Sequence, residues 1–300
     1  MKKILIAQSA GFCFGVKRAI SIANETASKT SGDRGGAGRG PLPIHSLGPL
    51  IHNPQAVEEL EKKGVHVVGS VDDIPCGKVI VRSHGITRSD AEALAGKGVT
   101  IIDATCPFVK KAQEHARSLS REGYAVTVVG DANHPEVKSI ISYIEPGVPI
   151  FTSLPELQES SGIRKVGIVA QTTQSFENLM QFVSVALKKI QEVRVYNTIC
   201  NATVLRQKES TAVARKADVM IVLGGYNSAN TRRLAEICRE SNPRTHHIET
   251  AAELSPDALD GVSCVGVTAG ASTPEWIIEE LVGMIRATWQ EEKIQVSFYQ

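Results

Sequence analysis

A strand–cysteine–helix pattern occurs three times along this chain at nearly equal intervals. It reads ILIAQSAGFCFGVKRAI around Cys13, VTIIDATCPFVKKAQEHA around Cys106 and VRVYNTICNATVLRQKES around Cys200, with the cysteines 93 and 94 residues apart. A further 100 residues lie beyond Cys200. A period this long signals repetition of whole small domains rather than of single hairpins. The segment after each cysteine repeats as well. An apolar strand (YAVTVVG, then DVMIVLGG) leads to a polar loop (DANHPEV, then YNSANTRRL) and a helical pattern, so that His134 and Ser228 each lie 28 residues past their cysteine. Further on, VGIVAQTTQSFENLMQFV mirrors VGVTAGASTPEWIIEELV. The first unit fits with one adjustment. His52 lies 39 residues past Cys13, an excess of 11, and the Gly-rich stretch Ser31–Pro41 has 11 residues and reads as an insertion.

Strands alternating with helices predict α/β units with parallel sheets, whose ligands bind beyond the carboxyl ends of the strands. The expected architecture is three similar α/β domains in a pseudo-threefold arrangement that brings the cysteines to a common centre. Their boundaries are 14–106 (with the insertion 31–41), 107–200, and 201–300 together with residues 1–13. Each unit's last strand delivers the next cysteine, so the strand Lys3–Gln8 is expected to close the sheet of the third unit. Three domains hinged around one centre also predict closure over a ligand.

Composition narrows the chemistry. With 33 basic and 32 acidic residues there is no electrostatic footprint for nucleic acid or for an anionic membrane surface. No apolar run reaches spanning length, and the apolar stretch Ile4–Ala7 is too short for a secretory h-region. A cytoplasmic location is expected, in which cysteines serve as thiols or metal ligands. The partial positive charge of a helix start favours a thiolate there, and Pro107 suits the first helical position. Three such thiolates can hold zinc with a water, or an iron–sulfur cluster with one iron left open, and spacing alone does not separate the two. Cys76, Cys238 and Cys264 lie in a turn, a helix and a strand without repeat partners and read as structural.

The loops expected to line the centre carry His52, His84, His134, Glu136, Thr172, Thr173, Ser228, Asn230, Ser272 and Thr273. Imidazoles, hydroxyls, amides and helix starts suit an anion such as a diphosphate. Glu136 is the lone carboxylate of the set. A neighbouring anion would favour its neutral form and make it a proton donor. His66, His115, His246 and His247 lack repeat partners and read as surface or satisfied core groups, while His45, near His52, is left unassigned. No G-x-G-x-x-G lies between a strand and a helix, which argues against hydride transfer from a bound nicotinamide.

The segments GFCFGVKRAI, GPLIHNPQAVEEL, RSHGI, DATCPFVKK, HPEV, QTT, NSANTRRL and VTAGASTPEWI, in this order, resemble the 4-hydroxy-3-methylbut-2-enyl diphosphate reductase family of the methylerythritol phosphate route to isoprenoids. The resemblance implies a trefoil of three α/β domains around a [4Fe–4S] cluster ligated by Cys13, Cys106 and Cys200. It also implies that His52, His84, His134, Thr172, Ser228, Asn230 and Ser272 bind the substrate. Glu136, Thr172 and His134 are the implied catalytic groups, with Glu136 as the proton source. Ala229 stands where the family often has a second serine or another small residue. The implied partners are an allylic diphosphate and an external electron donor of ferredoxin or flavodoxin type, and a self-contained three-domain ring favours a monomer. Without the resemblance, a non-redox lyase using an open iron and a non-catalytic cluster-based sensor stay open.

Overall fold

The computed structural model describes residues 1–32, 42–290 and 293–299. The elements run β1 (Lys2–Ile6), α1 (Phe14–Gly32), β2 (Ile44–Leu47), α2 (Pro54–Lys62), β3 (Val65–Val68), β4 (Lys78–Val81), α3 (Arg88–Gly96), β5 (Thr100–Asp103) and α4 (Pro107–Arg121). They continue with β6 (Ala125–Val129), α5 (Pro135–Ser142), β7 (Ile150–Phe151), α6 (Leu154–Glu159), β8 (Lys165–Ala170), α7 (Phe176–Lys189), β9 (Glu192–Val195) and α8 (Asn201–Ala214). The last stretch holds β10 (Val219–Leu223), α9 (Ala229–Ser241), β11 (Thr245–Ile248), β12 (Cys264–Ala269), α10 (Glu275–Trp289) and β13 (Ile294–Phe298). Of the expected insertion 31–41, residues 33–41 lie outside the described residues, while Ser31 and Gly32 end α1.

The chain divides into two compact units. One comprises Met1–Val16, His52–Ala56 and Asn201–Gln300, and the other Lys17–Ile51 and Val57–Cys200. The first unit is built on a five-stranded sheet in the order β11-β10-β12-β1-β13, every neighbouring pair parallel. The N-terminal strand therefore belongs with the C-terminal third of the chain. Ile4 pairs with Val265 on one side and Val296 on the other. Strand β10, VMIVL, is buried at every position, as expected of a parallel strand covered on both faces. One face packs against Leu254, Leu259 and the α10 residues Ile277, Leu281 and Ile285, and the other against Val213 of α8 and Leu234 of α9.

The second unit holds two four-stranded parallel sheets, β3-β2-β4-β5 and β7-β6-β8-β9. Two of the three repeats thus share one compact body. Polar side chains on helices tie them. The Gln113 amide of α4 donates to Ser139 Oγ of α5 (2.6 Å), and that hydroxyl donates to the Ile86 carbonyl (2.8 Å) in the loop before α3. The Arg88 N–H donates to Ser142 Oγ at 3.0 Å. Gln113 and Ser139 are buried, so the bonds they make are interior rather than surface decoration, whereas the Arg88–Ser142 bond is exposed.

Cysteine-bearing helices sit close on their sheets because a strand glycine gives them room. A Cβ at Gly167 of β8 would lie 2.4 Å from Leu119 of α4, and one at Gly266 of β12 would lie 2.8 Å from the Ala217 Cβ and 2.9 Å from Val213 of α8. No helix among the described residues is long and apolar enough to cross a membrane.

Candidate functional site

Each repeat cysteine sits where a parallel strand ends and a helix begins. Cys13 directly precedes α1, Cys200 directly precedes α8, and Cys106 is the N-cap of α4 with Pro107 as its first residue. The same backbone bond fixes all three. The Cys13 N–H donates to the Ala271 carbonyl (3.1 Å), the Cys106 N–H to Ser83 (2.9 Å) and the Cys200 N–H to Thr172 (3.0 Å). The acceptor always lies in the loop just past the strand that neighbours the cysteine's own: β12 beside β1, β4 beside β5, β8 beside β9. All three side chains are half-buried, and no disulfide joins cysteines among the described residues.

None of these three helices has an acidic residue in its first turn. A carboxylate there would be favoured by the helix dipole, so the positive helix ends are left to the sulfurs. A half-exposed thiol at a positive helix end is a soft donor of the kind that suits iron–sulfur or zinc. The other cysteines differ. Cys238 is fully buried in α9, where burial pushes its thiol up to about 12. Cys264 begins β12 with its thiol raised by burial and by the Asp218 charge, and Cys76 is exposed.

Side chains that sequence reading missed brace these loops. Asp103 Oδ1 accepts the Thr105 N–H (2.8 Å), and Asn197 Oδ1 accepts the Ile199 N–H (3.2 Å). Both residues stand three before their cysteine, in DATC and NTIC, so an Asx turn is repeated. That shared offset was a readable signal. The buried Arg206 guanidinium donates to the Ala269 carbonyl (2.7 Å) and the Gly11 carbonyl (2.9 Å), joining the loop before Cys13 to the end of β12. Its position on a helix gave no such signal.

In the unit containing Lys17–Ile51 and Val57–Cys200, Glu136 is 2 % exposed. Its Oε1 accepts the Thr172 N–H at 2.6 Å, and the Thr172 hydroxyl donates to Oε2 at 3.0 Å. Burial raises the carboxyl to about 7 against the opposing effect of these two bonds. With Oε1 occupied as an acceptor, the proton of the neutral form belongs on Oε2, where it reverses that second bond and donates to Thr172 Oγ1. His134 caps α5, and its Nδ1 accepts the Glu136 N–H (3.1 Å), which leaves Nε2 to carry the proton of the neutral ring. The His84 ring stands edge-on to His134 with centroids 5.4 Å apart.

In the unit containing His52–Ala56 and Asn201–Gln300, Ser228 caps α9 by accepting the Thr231 N–H (3.3 Å). Asn230, 5 % exposed, has an amide Nδ2 that meets no protein hydrogen-bond partner among the described residues. A buried amide donor left unpaired is costly unless a ligand acceptor completes it. Ser272 Oγ donates to the His52 carbonyl (2.9 Å), which fastens the His52 segment to a loop 220 residues away. Gly225 makes room for that carbonyl, since a Cβ there would lie 2.7 Å from it. Gly225→Ala is expected to displace the His52 segment and to destabilise the chain by about 1–3 kcal/mol, measured by thermal unfolding.

One residue expected to line the loops does not. Thr273 is fully buried and donates to the Leu223 carbonyl (3.0 Å), a structural bond. His45 lies on β2 with His66 as its β3 partner, and His115 stacks on Tyr196 with centroids 4.0 Å apart. Thr173 is half-buried in the loop after β8.

Residues 4–286 match the family described as LytB protein. The chain belongs to the LytB family. Among its relatives, the 4-hydroxy-3-methylbut-2-enyl diphosphate reductase of Geobacter metallireducens is 52% identical over 284 residues, spanning 95% of this chain and 97% of that protein. The Pelobacter propionicus protein of the same name is 52% identical over 283 residues, 94% of this chain and 97% of its own. Solved LytB-like structures agree in fold. One, of (E)-4-hydroxy-3-methyl-but-2-enyl diphosphate reductase, the terminal enzyme of the non-mevalonate pathway, has a TM-score of 0.70 at 46% identity and covers 96% of this chain and 100% of its own. The E-1-hydroxy-2-methyl-but-2-enyl-4-diphosphate reductase from Plasmodium falciparum reaches a TM-score of 0.89 at 26% identity, covering 99% of this chain and 92% of its own. Family membership therefore agrees with the α/β class and parallel sheets expected from the cysteine repeat.

Proposed function

We propose that this LytB family member catalyses the reductive dehydroxylation of 4-hydroxy-3-methylbut-2-enyl diphosphate to isopentenyl and dimethylallyl diphosphate, the last step of the methylerythritol phosphate route. Cys13, Cys106 and Cys200 hold a [4Fe–4S] cluster with one iron free of cysteine. The observation that carries this reading is the identical seating of three thiols, each at a helix start and each pinned through its amide to the neighbouring loop. The full-length identity to reductases supports it. When bound, the cluster supplies electrons from an external ferredoxin- or flavodoxin-type donor and a Lewis-acidic iron for the allylic C–O bond.

The chain's own residues do the rest. His52, His84, His134, Ser228, Asn230 and Ser272 hold the diphosphate. Asn230 offers its unpaired amide, and Ser272 turns its hydroxyl from the His52 carbonyl to a phosphate oxygen. Neutral His134 presents Nε2–H, because Nδ1 is committed to the Glu136 amide. Glu136 holds a proton on Oε2 and passes it through Thr172 Oγ1 toward the departing hydroxyl. A carboxyl poised at about 7 suits a general acid working near neutrality. The enzyme is read as cytoplasmic and monomeric.

The test is electron counting. Adding the allylic diphosphate to anaerobically purified protein with a reduced dye is expected to oxidise two dye equivalents per product formed. Product without dye oxidation would replace the reductase with a lyase, and tight binding without product would leave a sensor.

A further inference from the structure

The turn that delivers Ser228 and Asn230 is held from outside by one short segment, His247 to Glu253. Gly225, Tyr226, Asn227 and Ser228 form a turn closed by the Ser228 N–H donating to the Gly225 carbonyl (3.0 Å). Its corner, Tyr226, is 47% exposed, so packing does little to hold it. Hydrogen bonds do so instead. Glu249 Oε1 accepts the Tyr226 N–H at 2.6 Å, a short charge-assisted bond. The Tyr226 hydroxyl donates to Glu253 Oε2 (2.5 Å), and its ring lies 4.7 Å from that of His247. His247 Nε2 bonds the Gly224 carbonyl (2.9 Å), an acceptor only, so Nε2 carries the proton. Glu253 Oε1 in turn accepts the Glu249 N–H (3.2 Å) and the Thr250 N–H (3.0 Å). The hydrogen bond to Glu253 raises the Tyr226 hydroxyl to about 12, so it remains a donor at every pH at which the protein works.

Two carboxylates beside a loop that receives an anion are an electrostatic cost. Their use here is geometric: each is committed to turn or segment donors, and together they preset the peptide planes from Gly224 to Ser228. We propose that Glu249 is a positioning residue for the diphosphate loop, acting through the Tyr226 amide to place Ser228 and Asn230. This rests on the diphosphate reading of those two residues and adds the element that orients them.

The experiment uses cluster-loaded, full-length protein prepared without oxygen. It compares Glu249→Ala, Glu249→Gln and Tyr226→Ala with the parent in two readouts: calorimetric binding of inorganic diphosphate, and KM and kcat for the allylic diphosphate. Glu249→Ala is expected to weaken diphosphate binding and raise KM by about tenfold, with kcat within about twofold and iron content unchanged, as loss of one charge-assisted bond implies. Glu249→Gln keeps an acceptor oxygen and is expected within about threefold of the parent. Tyr226→Ala, at an exposed position where folding is not at stake, is expected to weaken binding by about threefold or more. Glu249→Ala binding like the parent, a glutamine variant as impaired as alanine, or a fall in kcat together with lost iron would each overturn the proposal. If Glu249→Ala does not fold, Glu249→Thr, whose shorter side chain also withdraws the acceptor from the Tyr226 amide, is measured in its place against the same limits. A parent protein that neither binds inorganic diphosphate nor turns over the allylic diphosphate would overturn the functional reading itself, and this inference with it.

Discussion

Changing Glu136 to glutamine is expected to cut turnover of the allylic diphosphate by about 10²–10⁴-fold while leaving the fold and the iron content intact. The local geometry explains why the two effects separate. A glutamine Oε1 can keep the 2.6 Å Thr172 N–H bond, and its Nε2 can donate to Thr172 Oγ1 in place of the present 3.0 Å contact. What disappears is the transferable proton. Steady-state rates on anaerobic protein check this, and a variant within threefold of the parent would remove Glu136 from the chemistry.

The same residue makes a prediction for stability. Burial raises the Glu136 carboxyl from the usual carboxylate range to about 7, so the folded chain binds this proton more tightly than the unfolded chain does. Between those two values the folded state holds a proton that the unfolded state has lost. Stability contributed by this group is present at low pH and is lost as pH rises toward neutrality. Relative to Glu136→Gln, the parent is expected to lose about 2–3 kcal/mol of unfolding free energy between pH 5 and pH 8. Denaturant titrations of both proteins at the two pH values measure the difference. The rate should also fall above neutrality as the general acid ionises.

The second large effect concerns the cysteines. Cys13→Ser, Cys106→Ser and Cys200→Ser are each expected to reduce turnover below about 1% of the parent and to strip the cluster, because each removes one of only three thiolate anchors. The other three serve as internal controls. Cys76→Ser, at an exposed turn, should be silent. Cys264→Ser should keep its iron, and Cys238→Ser should cost about 1–3 kcal/mol by placing a hydroxyl in the core while still binding iron. Equal iron loss in both groups would mean that the seating of the repeat cysteines has no special role.

The repeat spacing made the parallel α/β class legible. It also implied that the N-terminal strand joins the C-terminal sheet, as β1 does between β12 and β13. Strand–loop–helix order also marked the loops of Glu136, Thr172, Ser228 and Asn230, because chemistry in parallel sheets gathers at strand ends. Contacts that depend on three-dimensional return of the chain were not legible. Ser272 reads as a ligand in sequence, and nothing there shows that its hydroxyl also fastens His52 across 220 residues. Gln113 and Ser139 carry no sequence signal, yet they are buried and bonded to each other, and Ser139 ties two of the repeats through the Ile86 carbonyl. Thr273 reads as a loop hydroxyl, yet it turns inward to the Leu223 carbonyl. In each case a polar side chain satisfies a distant backbone carbonyl or a side chain on another element, which no local pattern records.

Iron and acid-labile sulfide analysis of the parent protein, purified and kept without oxygen, tests the assignment of the three thiols most directly. Equal amounts of each, about four per chain, in a brown protein that bleaches in air are the predicted result. A colourless preparation without iron, or one carrying stoichiometric zinc and no sulfide, would contradict it.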